Sequence, residues 1–110
     1  MQLNDLIKRA IEIRNKYDVA EQEMYGKVWS TEQIMEGFVG DVGDLMKIVM
    51  AKQGWRQLGD KNIDKELKHE LADCLWSLLV LSSKYGIDLE GEFLKVMDYL
   101  SERIDRREKH

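Results

Sequence analysis

Apolar residues recur every three or four positions along most of this chain, and no stretch alternates as a strand would. The pattern predicts four helices and an all-α fold. The first opens after Asn4 and carries Leu6, Ile7, Ala10, Ile11 and Ile13 on one broad face. It ends near Tyr17 or continues unevenly toward Met24, because the polar run from Asp18 to Glu23 blurs its end. The second begins at Ser30, which has capping-box spacing with Gln33. Its stripe is Met35, Phe38, Val42, Leu45 and Val49, and it stops by Gly54. A loop-like connector, QGWRQLGDKN, separates the two halves. The third helix runs from about Ile63 to Tyr85, closed by Gly86. Apolar nearly all round from Leu71 to Leu81, it is expected to be the most buried element. The fourth starts at Asp88, an N-cap, and carries Leu89, Phe93, Val96, Met97, Leu100 and Ile104. Residues 1–110 read as one helical domain, with 101–110 a charged helix end or tail. Three neighbours are too few to cover the third helix, so a bundle completed by a homodimer is expected.

Composition narrows the partners. The chain has 17 basic and 21 acidic residues, a net charge of −4, which argues against a phosphate-backbone binder. Its 44% hydrophobic content is enough to fill a core. Cys74 is the single cysteine and has no disulfide partner within the chain. The opening MQLNDLIKRAIEIRNK is broken by charges, and the apolar run from Leu71 to Leu81 contains Asp73 and is too short for a bilayer. A soluble cytoplasmic protein with no nucleic-acid or membrane partner is therefore the expectation.

Acidic residues interrupt the two most apolar helices. Asp41 and Asp44 share a face of the second, and Glu70 and Asp73 share a face of the third, with Glu66 one turn earlier. If they converge, each pair of charges about 5 Å apart costs roughly 3 kcal/mol at an effective dielectric near 20. Protons or cations must then neutralise them, and magnesium, a hard ion that takes oxygen ligands, is the obvious cation. The alternative is that both pairs line solvated faces. Gly37, Gly40 and Gly43 weaken the second helix, and their spacing predicts close approach of a ligand or a neighbouring helix.

At this point the residues resemble a family. GDVGDL (Gly40 to Leu45) followed by HELADCLWSLLVLSSKYGIDLE (His69 to Glu90) is similar to the MazG-like, all-α nucleoside triphosphate pyrophosphatases, in particular the small dCTP-pyrophosphatase-like members. Their signature is Glu-x-x-Glu, a connector, then Glu-x-x-Asp, and the similarity covers roughly 28–100. The resemblance implies hydrolysis of an NTP or dNTP to the monophosphate and pyrophosphate, in nucleotide-pool housekeeping. It also implies magnesium, with manganese as a substitute, held by Asp41, Asp44, Glu70 and Asp73, and assembly as a homodimer or a dimer of dimers. Two aspartates replace the glutamates of the first half-motif, which shortens each reach by roughly 1.3 Å. Ser77 stands where a tyrosine often follows the tryptophan of the third helix, and a family asparagine in the fourth has no clear match. A non-catalytic oligomer of the same fold, binding a nucleotide or a protein partner, is the alternative; a phosphoribosyl-ATP pyrophosphatase relative is a third reading.

Other residues are candidates on chemistry alone. Trp29, Tyr25 and Trp55 have rings suited to stacking on a base, or to plugging helix ends. Lys47, Lys52, Arg56, Lys65, Lys95 and Arg103 are candidate phosphate contacts, Lys47 and Lys95 foremost for substrate binding. His69, Glu70 and Asp73 imitate part of an HExxH zinc motif, but the only other histidine is His110, so a zinc site is not expected and His69 reads as an ordinary surface residue.

Overall fold

A computed structural model describes residues 2–108. His110, the other half of the incomplete zinc motif, lies outside the described residues. Four helices follow in order: α1 (Leu3–Tyr25), α2 (Thr31–Lys52), α3 (Ile63–Lys84) and α4 (Leu89–Glu108), with no strand among the described residues. None of them is long and apolar enough to cross a membrane.

The ends of the helices follow local chemistry. Ser30 Oγ accepts from the Gln33 N–H at 3.2 Å while the Gln33 side chain accepts from the Ser30 N–H at 2.8 Å, completing the capping box expected for α2. Asn62 caps α3 by accepting from the Lys65 N–H, and Asp88 accepts from the Gly91 N–H at the start of α4. Gly26, Gly54 and Gly86 follow the first three helices with positive φ, a conformation that favours glycine.

Helix α1 runs through the polar segment that blurred its end. Arg14 Nε donates to Asp18 Oδ1 at 2.9 Å and Arg14 Nη2 to Glu21 Oε2 at 2.6 Å, so these acids are held along one side of the helix.

Helix α3 packs along α2 and, less extensively, against α1. Their shared core is Ala10, Ile34, Leu79 and Val80, flanked by Ile7, Ile11, Trp76 and Leu89. The apolar middle of α3 is only half covered: Cys74, Leu79 and Val80 are buried, whereas Leu71, Leu75 and Leu78 are exposed. Beyond Leu89, α4 leaves the core, and Phe93, Val96, Met97, Leu100 and Ile104 all stay exposed. The radius of gyration is 17.7 Å, against about 13 Å for a compact domain near this length. Three helices thus make the packed body of the chain, and the fourth projects from it.

Candidate active site

The packing of α2 on α3 brings the four predicted carboxylates together. Asp41, Asp44 and Glu70 each offer an oxygen within 4.8 Å of the others, and His69, Glu70 and Asp73 form a second such group. Glu70 belongs to both. The two aspartates of α2 therefore reach Glu70 despite their shorter side chains. Glu66 is in neither group among the described residues.

The electrostatics are those of a crowded acidic centre. Burial, then the charges of Asp73 and Asp44, push the Asp41 carboxyl above its ordinary value, partly opposed by His69. Burial raises Glu70 as well, followed by repulsion from Asp73, Asp41 and Asp44. Glu70 Oε2 is buried without a hydrogen-bond partner. A buried, unpaired carboxylate oxygen costs stability unless a proton or a cation meets it. The donor set fits a hard divalent cation: it is all oxygen apart from one imidazole, and opposite ligands of an octahedral magnesium ion stand about 4.2 Å apart.

His69 is the surface residue expected, and it also adjoins the acidic centre. It is exposed, but its Nε2 lies 3.4 Å from Asp73 Oδ2, one turn along the same face of α3.

Beside the carboxylates opens a cavity of about 430 Å³, lined by Asp41, Asp73, Arg14, Trp29 and Trp76 among others. Of these, sequence reasoning singled out Asp41, Asp73 and Trp29, and missed Trp76 and the contribution of α1. Arg14 is buried, and its guanidinium lies 5.9 Å from the Tyr17 ring centre, 5.8 Å from that of Trp29 and 5.9 Å from that of Trp76. Glu21 ties Arg14 to the Trp29 backbone N–H, which it accepts at 3.1 Å. Burial works to raise the Glu21 carboxyl, but Arg14 and the Trp29 N–H outweigh it and hold it below its ordinary value. Trp76 Nε1–H donates to the Ala10 carbonyl at 3.0 Å, fixing the second indole. The signal for this network was present in the chain: an arginine one turn after Ala10, on the core face, with acids four and seven positions later.

The glycines of α2 divide. A Cβ on Gly37 would stand 2.9 Å from Trp29 Cζ3, so the ring needs that glycine. At Gly40 and Gly43 an added Cβ meets nothing within 4 Å, and the close approach of a neighbouring helix expected there is absent among the described residues.

The cationic and aromatic candidates also divide. Lys47 stands near the carboxylates, its Nζ 3.9 Å from Asp44 Oδ1. Lys95 projects from α4, pairs with Glu92, and lines neither cavity beside the carboxylates. Lys52 is paired with Asp64. Arg103 lines a separate hollow on α4. Tyr25 and Trp55 are exposed and line neither cavity.

An all-α chain with four converging carboxylates on two packed helices defines the class. The MazG nucleotide pyrophosphohydrolase domain matches residues 30–110. The chain belongs to that family. Among solved structures it is similar to the crystal structure of YPJD from Bacillus subtilis, described as a "putative pyrophosphatase", with a TM-score of 0.57 and 22% identity. The match covers 82% of this chain and 92% of that one and supports the fold. No curated protein gives a significant match.

Proposed function

We propose that this member of the nucleotide pyrophosphohydrolase family hydrolyses a nucleoside or deoxynucleoside triphosphate to the monophosphate and pyrophosphate, with magnesium, or manganese in its place, at Asp41, Asp44, Glu70 and Asp73. The observation that carries this reading is the buried, unpartnered Glu70 Oε2 at the centre of the carboxylates. A bound cation would neutralise phosphate charge and lower the pKa of an attacking water. Water adds its oxygen to the α-phosphorus, the α–β phosphoanhydride bond breaks, the bridging oxygen leaves with pyrophosphate, and one proton is released. Asp41, Asp44, Glu70 and Asp73 would hold that cation, whose positive charge would let a triphosphate approach this acidic centre. Trp29 and Trp76, fixed around Arg14, offer flat faces to the nucleoside end.

Assembly belongs to the same reading. Leu71, Leu75 and Leu78 on α3 and the apolar stripe of α4 are exposed in one protomer, and a second copy covering them makes a homodimer or a dimer of dimers. The nucleotide pool of the cytoplasm is the proposed setting.

The test is purified protein with magnesium or manganese and a panel of ordinary and modified nucleotides, with pyrophosphate and orthophosphate measured separately. Pyrophosphate release from at least one nucleotide is expected. Inactivity across the panel, with nucleotide still bound, would leave a non-catalytic binder.

A further inference from the structure

A second cavity, of about 330 Å³, adjoins the carboxylates, and its walls differ in kind from those of the first. Asp44 and Glu70 form its acidic side, and Lys47, Arg56 and Lys61 supply three cations. No aromatic ring lines it, whereas Tyr17, Trp29 and Trp76 line the first cavity, which takes in Asp41 and Asp73. The acidic centre is thus shared between an aromatic cavity and a basic one. Arg56 and Lys61 come from the connector between α2 and α3. Among the described residues neither has a carboxylate within 4.0 Å, although Lys52 on the neighbouring turn pairs with Asp64. The nearest anion to Lys47 is Asp44, at 3.9 Å. Arg56 and Lys61, unpaired with any described carboxylate within 4.0 Å and gathered in a hollow beside Lys47, suit a multiply charged oxyanion.

We infer that the connector forms the leaving-group subsite, where Arg56 and Lys61, with Lys47, bind the β- and γ-phosphates and hold the pyrophosphate product. This assignment rests on the pyrophosphohydrolase reading above. It orients the substrate: nucleoside toward Trp29 and Trp76, α-phosphate at the carboxylates, pyrophosphate toward the connector. As the α–β bond breaks, the bridging oxygen keeps the electron pair, and the three cations face that growing charge. Arg56 presents a planar fork suited to two phosphate oxygens, and Lys61 a single mobile charge.

The experiment measures binding of inorganic pyrophosphate with magnesium, by calorimetry and as product inhibition, for wild type and for Arg56→Gln combined with Lys61→Gln. Both residues are exposed on the connector, so the variant should fold, and circular dichroism checks that it does. A surface pair on α1, Lys8→Gln with Lys16→Gln, controls for the loss of two positive charges. The connector variant should bind pyrophosphate at least tenfold more weakly, while its affinity for a nucleoside monophosphate and its stabilisation by magnesium stay within twofold of wild type. Unchanged pyrophosphate affinity in the connector variant, an equal loss in the control pair, or a parallel loss of monophosphate affinity would each overturn the assignment. So would a wild-type protein that binds no pyrophosphate. Should wild type hydrolyse no nucleotide yet bind pyrophosphate through Arg56 and Lys61, the catalytic reading fails and the anion subsite stands.

Discussion

Glu70 is the residue on which the acidic centre turns. Its carboxyl and that of Asp41 are raised, so both bind a proton more tightly in the folded chain than in the unfolded one. Metal-free stability therefore falls as pH rises through their raised folded values, and is regained on acidification from neutrality into the carboxylate range. Glu21 runs the other way. Its lowered carboxyl contributes stability above its unfolded value, and that contribution is lost as pH falls through the folded one. Thermal melts in chelator should show a maximum on the acidic side of neutrality, and stabilisation by magnesium should shrink there as protons compete for the same oxygens. In the same melts Glu70→Gln should raise the metal-free melting temperature and abolish most of the magnesium effect. A melting temperature insensitive to magnesium, to pH and to Glu70→Gln alike would mean a solvated acidic face. His69→Ala should weaken the magnesium effect several-fold less than Glu70→Gln does, since His69 acts on the centre through Asp73. Arg14→Met removes the cation that pairs with Glu21 and Asp18, and should lower the midpoint of denaturant melts.

At the scale of the helices, much was legible in the chain because caps and periodicity are local signals. Ser30 with Gln33, Gly54, Gly86 and Asp88 mark ends that the structure places within a residue or two. The end of α1 was blurred because the polar run from Asp18 to Glu23 interrupts the apolar periodicity, although the spacing of Arg14 with Asp18 and Glu21 carried the signal that the helix continues. Spacing paired Asp41 with Asp44 and Glu70 with Asp73, since positions three apart share a helix face; the family resemblance implied that the two pairs meet, and the packing of α2 on α3 brings them together. Spacing could not show that His69 leans on Asp73 at the site, or that α1 supplies Arg14 and Tyr17 to the cavity wall, because those depend on how the helices cross. Gly37 and Gly40 look alike in the sequence, yet only Gly37 lies under a ring. Gly40→Ala should therefore stabilise the helix by about 0.5–1 kcal/mol, whereas Gly37→Ala must displace Trp29 and should destabilise, both read from urea melts.

At the scale of the molecule, the chain leaves an apolar stripe along α4 and three leucines of α3 in solvent, surface that a second copy would cover. Light scattering should report a dimer or a multiple of it, and Phe93→Glu with Leu100→Glu should shift it toward a monomer; a soluble wild-type monomer at micromolar concentration would contradict the assembly. The whole account converges on one measurement, the products released from a triphosphate panel in magnesium by wild type and by Glu70→Gln. Wild type should release pyrophosphate and no orthophosphate from at least one nucleotide, and Glu70→Gln should lose at least a hundredfold in rate while remaining folded. Orthophosphate as the product, or a folded Glu70→Gln that keeps the wild-type rate, would contradict it.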